Sequence, residues 1–400
     1  MTACPVNPCG LVNTREFFRR EGSMKVSVTQ QQLAQGLSMV SRAVSPRSTL
    51  PVLANVLLAT DEGRLRLAAT NLELGISCWI GAQIQEEGSI TVPARLLTDM
   101  VSALPNDTVH LSVNPSTCTL SVRCLSASTE IKGIDAQEFP PMPATDVSEG
   151  IRVKVSDFKE MVQQVTFAAS TDEARPVLQG VQTTVSDKEK EIVMASTDGF
   201  RVSVRRLALE APIRKSMSMI IPARALNELA RIATDGEGEV CMVAPPGRGQ
   251  VVFRLDSAEL VSQLIDGTFP DYKVIVPRSY KCHTIVSTAA FLKACKQAEI
   301  IARSGNNVVR LTLQPNADRP GQVEISAQSE ETGSYDTTID ANIDGNGLAL
   351  AFNVRFLREV LEVIKTPNLV LDTNDHKSPA RIQPVGDDTF QHVIMPMFLG

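Results

Sequence analysis

Apolar residues recur at helical spacing in three related segments of the chain. They fall at Leu97, Met100, Val101 and Leu104 in VPARLLTDMVSAL, and at Leu226, Leu229, Ala230 and Ala233 in IPARALNELARIA. In FNVRFLREVLEVI they fall at Leu357, Val360, Leu361 and Ile364. The i, i+3, i+4, i+7 pattern puts each set on one helix face. Pro93, Pro222 and Asn353 open these segments, and both residue types suit a helix N-terminus. A second helical pattern also occurs three times: Leu33, Leu37, Val40, Val44; then Phe158, Val162, Val165, Ala169; then Phe291, Cys295, Ala298, Ala302. Every copy of either helix follows a short strand-like run, such as KVSV, RVKV and HTIV before the second type. Between the helices the chain alternates apolar and polar residues (LRLAAT, TVHLSV, VVFRL, VRLTL, VEISA), the pattern of half-buried strands.

The repetition extends beyond the helices. PVLANV at Pro51 returns as PVLQGV at Pro176, LAATNLELGIS as MASTDGFRVSV, and EFPPMP as TFPDYK. The repeat is domain-sized, far longer than a solenoid unit. The expected architecture is α+β, with three similar domains, each carrying two helices packed on antiparallel strands. Pro-rich and turn-rich stretches put the boundaries at 24–147, 148–277 and 278–400. Residues 1–23 precede the first patterned segment, MKVSV, and read as a disordered extension.

Charge narrows the function. A net charge of −6 is wrong for a protein that holds DNA by phosphate neutralisation alone. The predicted helices nevertheless carry a small excess of Lys and Arg, and the strands and loops are acidic. Two readings stand: a basic surface shared by all six helices, or the ordinary tolerance of helices for Lys and Arg. Aromatic residues make up 4% of the chain, too few for a single-strand stacking platform. The eight cysteines are scattered, and without a secretory signal they read as reduced thiols in the cytosol. The four histidines sit at no metal-ligand spacing, so neither metal nor cofactor is expected. No phosphate-binding, metalloprotease or nucleophile-elbow motif is present. Asp198 in STDGFR is the one carboxylate that invites a catalytic role. Its counterpart in the first repeat is Asn71, so a turn role is favoured over an acid–base one. No catalytic residue is assigned.

Several stretches together resemble the bacterial DNA polymerase III beta subunits, the beta sliding clamps. They are MKVSVTQQQLAQGLSMVSRAVSPRSTLPVLANVLL, ASTDGFRVSV, LIDGTFPDY and VIMPMFLG, and the likeness spans residues 24–400. It implies a non-enzymatic, cytoplasmic homodimer, closed head to tail into a ring. Helices would line a central hole that encircles duplex DNA irrespective of sequence, and sheets would form the outer wall. By the same resemblance Arg47 and Arg175 lie near DNA; the helix pattern adds Arg95, Arg224, Lys293, Lys296, Arg303 and Arg358. Polymerase subunits and the clamp loader would insert a short, glutamine-led hydrophobic motif into a socket. Carried over residue by residue, that socket comprises Leu178, Thr197, Gly199, Phe200, Arg201, Val202, Pro277, Val393, Met395, Pro396 and Met397. Phe398 stands where the family usually has Arg, and the chain ends one residue later than usual, at Gly400. Ile300 and Ile301 match the dimer contact, with a role in their own domain's core as the alternative. Two other classes remain open at this point: a repeat-built enzyme or small-ligand binder, and a protein scaffold that never meets DNA.

Overall fold

The computed structural model describes residues 23–397 apart from 46–47, 144–145, 149, 211–215 and 235–237. The expectations for the extension before Ser23, for Arg47, and for Phe398 and Gly400 therefore lie outside the described residues. Six α-helices form where the apolar periodicity places them. They are α1 (Gln30–Val40), α2 (Ala94–Ala103), α3 (Val155–Val165), α4 (Ala223–Ile232), α5 (Thr288–Ala302) and α6 (Val354–Val363). Three have side-chain caps: Thr29, Ser287 and Asn353 accept from the backbone N–H of Gln32, Ala290 and Arg355. Such caps satisfy donors that the helix itself leaves unpaired. Pro93 and Pro222 stand immediately before α2 and α4.

The helices pack in consecutive pairs: α1 with α2, α3 with α4, α5 with α6. One backbone bond is repeated in all three pairs. The first residue of the first helix donates to a carbonyl just beyond the second: Gln30 to Asp107, Val155 to Gly238, Thr288 to Pro367, each at 2.9 Å. The apolar stripe of each helix is buried, including Leu97 and Val101, Leu226 and Leu229, and Leu357 and Val360. A fully buried side chain of that size contributes roughly 1.5–3 kcal/mol.

Two compact units divide the molecule. One ends at Gly150 and also takes in Cys241–Gln263; the other comprises Ile151–Val240 and Leu264–Gly400. In the first unit, one antiparallel sheet runs Gln83–Glu86, Lys25–Thr29, Thr108–Asn114, Thr119–Cys124, Ala127–Lys132. Another places Leu74–Gly81 against Ala258–Gln263, with Cys78 opposite Ala258 and Leu74 opposite Ser262. The second unit holds a 12-stranded sheet. At its centre Arg201–Ala208 pairs with Phe390–Ile394, so Val202 faces Val393 and Ser203 faces His392. In both units the strand just after the Thr197-type turn joins the last strand of the following repeat. This join brings the end of the chain beside the STDGFR segment.

Candidate functional site

The segment Thr197–Arg201 links two strands, and its own side chains hold it. Thr197 Oγ1 donates to Arg201 O at 2.7 Å and accepts from Gly199 N at 3.0 Å. Asp198 Oδ1 accepts from the N–H groups of Phe200 (2.9 Å) and Arg201 (3.1 Å). Asp198 is thus a turn residue, as the Asp-to-Asn change between repeats implied. The first repeat builds the same turn: Thr70 Oγ1 contacts Leu74 O and Leu72 N, and Asn71 Oδ1 accepts from Glu73 and Leu74. Its third position has φ 75° at Leu72, where the second repeat has Gly199 at φ 97°. Glycine removes the Cβ penalty of that conformation.

Arg201 turns inward. Its side chain is 6% exposed, and Nε reaches Asp198 Oδ2 at 2.9 Å while Nη1 reaches Glu359 Oε2 at 2.6 Å. Nη2 donates to Phe167 O at 2.7 Å. The guanidinium also lies over the rings of Phe356, at 4.2 Å, and Phe167, at 5.3 Å. Beneath the turn, His392 is wholly buried, with Nδ1 2.6 Å from Ser203 Oγ and its ring 5.2 Å from that of Phe167. Burial, then the nearby Arg201 charge, holds the His392 imidazole well below its ordinary pKa, so it is neutral at neutral pH. Phe200 then points outward, 61% exposed, and its carbonyl accepts from Met395 N at 2.9 Å.

These pieces border a cavity of about 790 Å³. Of the expected socket residues, Thr197, Gly199, Phe200, Arg201, Val202, Pro277, Val393 and Met395 line it. Leu178, Pro396 and Met397 do not. Leu178 belongs to the short 3-10 turn Pro176–Gln179, in which Val177, one residue earlier, packs on the local core. Pro396 is buried, and Met397 N donates to Ala351 O at 2.8 Å. Beyond Pro277, which the sequence reading placed here, two groups of lining residues escaped it. The loop Val274–Ser279 supplies the most exposed apolar side chain of the rim, Val274 at 77%. Asn374, Ser378 and Pro379 arrive from the turn before Ala380–Pro384, a strand that pairs with Phe390–Ile394. The run VIVP after FPDYK was the available signal for the loop; nothing local marks the second group.

The basic residues do not share one environment. Arg95 is almost fully exposed and lies 3.8 Å from Asp99; Arg224 and Lys293 are exposed. Lys296 pairs with Glu362 at 3.0 Å and Arg303 with Glu299 at 3.7 Å. Arg358 is half-buried, held by Glu299 at 2.7 Å and Glu362 at 3.0 Å. Arg175 lies at the turn, donating to Asp198 O at 3.1 Å and pairing with Asp172 at 2.9 Å. On α5 the two isoleucines part company: Ile300 is 68% exposed, whereas Ile301 packs against the core of its own unit. Ile301 thus takes up the alternative of a role in its own domain's core, and Ile300 is the exposed member of the pair. Among the described residues no cluster of His, Cys, Asp and Glu is arranged to hold a metal ion. No described helix is long and apolar enough to cross a membrane.

Three copies of a helix pair on antiparallel strands, with an apolar cavity beside the last strand, define a DNA-clamp fold. Family models for the DNA polymerase III beta subunit match in register with the repeats: the N-terminal domain at 24–143, the central domain at 152–271 and the C-terminal domain at 273–398. The beta sliding clamp of Synechococcus elongatus is 35% identical, over 94% of this chain and 100% of its own length. The crystal structure of the Bacillus subtilis DNA polymerase sliding clamp superposes with a TM-score of 0.88 at 28% identity, covering 94% of this chain and 100% of its own. That of the Pseudomonas aeruginosa clamp bound to griselimycin gives 0.85 at 27%, with the same coverage. The chain belongs to the beta sliding clamp family.

Proposed function

We propose that two copies of this chain close head to tail into a ring around duplex DNA. The ring tethers polymerases that insert a short, glutamine-led hydrophobic peptide into the cavity between Thr197 and Met395. Each repeat, 24–147, 148–277 and 278–400, then counts as one module of a pseudo-sixfold ring, and the setting is the cytoplasm.

The observation that carries the ring is a strand join made twice and left open once. Leu74–Gly81 takes the last strand of the second repeat, and Arg201–Ala208 takes the last strand of the third. The equivalent strand of the third repeat is Gly333–Gly345. Its first part, Gly333–Asp340, pairs with Gly321–Ser329 on one side and with no described strand on the other. The last strand of the first repeat, Ala127–Lys132, is likewise an edge. One open acceptor and one open donor on each chain are what a closing two-chain ring requires, and closure protects edges that otherwise invite aggregation. Ile300 on α5 supplies an exposed apolar contact for the same junction.

A ring resolves the charge problem. Topology, not contact free energy, keeps it on DNA, so a net-acidic chain needs only weak, screened phosphate contacts that permit sliding. Exposed Arg224 and Lys293 suit that role, as do Arg95 and Arg303, which are exposed and only loosely paired along their own helices with Asp99 and Glu299. Arg358 and Lys296 are tied to carboxylates and Arg175 to the turn, so each contributes less to phosphate. The cavity suits a hydrophobic peptide: Phe200, Val274, Val393 and Met395 give apolar walls, and methionine adapts to varied partners. Sedimentation equilibrium tests the ring. The proposal expects a mass about twice 43.3 kDa, and a monomer at micromolar concentration contradicts it.

A further inference from the structure

We infer that the Arg201–Glu359 ion pair is a strut through which α6 sets the affinity of the cavity for its peptide. This rests on the reading of the cavity as a peptide socket. Arg201 borders that cavity, yet each of its nitrogens faces inward: Nε to Asp198, Nη1 to Glu359, Nη2 to the Phe167 carbonyl. Three of its five N–H groups are engaged in this way, its guanidinium lies over Phe356 and Phe167, and its side chain is only 6% exposed. Arg201 is therefore a positioning residue. It fixes the carboxylate that caps Phe200 N, and so the outward pose of Phe200 and the Phe200 carbonyl that holds Met395.

The far end of the strut is a charged helix surface. Glu359 also accepts from Arg355 Nε at 2.9 Å. Arg358 on the same helix pairs with Glu299 of α5. An anion that draws Arg355 away changes the charge balance at Glu359, and through it the turn. By reciprocity a peptide that orders the turn orders α6. The cavity wall and the helix thus share one largely buried pair, and removing the Glu359 charge leaves Arg201 with Asp198 alone while releasing it from α6.

Three measurements decide it, with a fluorescein-labelled peptide led by glutamine and otherwise built of leucine as probe. Wild type binding this peptide, with Met395→Asp abolishing binding, supports the socket; no binding by wild type refutes the socket reading itself. Given binding, Glu359→Gln weakens it roughly tenfold through faster dissociation, within the usual range of coupling. Glu362→Gln, which breaks the neighbouring Lys296 and Arg358 pairs, leaves it unchanged. Arg201→Lys combined with Glu359→Gln is no weaker than the worse single variant. Equal affinity for wild type and Glu359→Gln, or additive losses, overturns the inference. The third measurement needs no variant: saturating wild type with peptide slows amide hydrogen exchange in α6 around residues 355–360. Unaltered exchange there also overturns it.

Discussion

Acidification to pH 5.5 destabilises this protein through a single buried imidazole. His392 is wholly buried, shares one hydrogen bond with Ser203 and lies near the positive Arg201. Among the described residues its Nε2 has no hydrogen-bond partner. Burial as the main cause, with Arg201 second, depresses its folded pKa well below the ordinary 6.5. In the unfolded chain the same group takes a proton near that ordinary value. The stability it contributes is therefore complete above about pH 6.5 and falls as pH drops toward the depressed folded pKa. The loss is about 1.4 kcal/mol per pH unit in that window. Between pH 7.5 and 5.5 the cost is thus on the order of 1.4 kcal/mol, or roughly 3–5 °C in the melting of a unit this size. The assay is the melting temperature at both pH values for wild type and for His392→Phe. The phenylalanine keeps the ring against Phe167 but strands Ser203 Oγ, a cost of about 1 kcal/mol that does not vary with pH. The variant is expected to melt lower at pH 7.5 and to lose several degrees less on acidification. Equal losses in both proteins would refute the assignment of a neutral buried imidazole.

Other outcomes follow from single positions. Gly199→Ala places a Cβ at φ 97° and should cost about 1–2 kcal/mol in denaturant melts, whereas Leu72→Gly relieves φ 75° in the matching turn and should stabilise slightly; the same sign for both contradicts the strain argument. Phe200→Ala should leave stability within about 0.5 kcal/mol, because the ring is largely in solvent, yet weaken a glutamine-led leucine peptide about tenfold by fluorescence anisotropy. Ile300→Lys should shift sedimentation toward monomer without lowering the melting temperature. Ile301→Ala should do the reverse, losing about 1–2 kcal/mol of core packing; a dimer equally weakened by both returns Ile301 to the interface.

Local periodicity made the helices and the threefold repeat legible, because the 3.6-residue stripe and the cap residues act within a few positions of one another. The Asp198 turn was legible for the same reason, helped by its Asn71 counterpart. The site was only partly so. Arg201 sits in a segment whose neighbours face the cavity, and nothing nearby shows that Glu359, far along the chain, draws it inward. Ile300 and Ile301 are adjacent in sequence but sit on different sides of α5, and the helical pattern alone did not choose between them. Leu178 was carried by resemblance, while its neighbour Val177 does the packing. Asn374, Ser378 and Pro379 reach the cavity through the pairing of Ala380 with Ile394, a long-range register that no local motif encodes. The small positive excess on the helices hid the fact that Arg358, Lys296 and Arg303 have carboxylate partners in space.

The central claim is topological linkage, and retention on circular DNA tests it most directly. The clamp is loaded by its clamp loader onto a nicked plasmid, isolated by gel filtration in 1 M salt, and the plasmid is then cut once. A ring remains with the circle through the salt and is lost on linearisation. Loss from the intact circle at high salt, or retention on the linear form, contradicts the account.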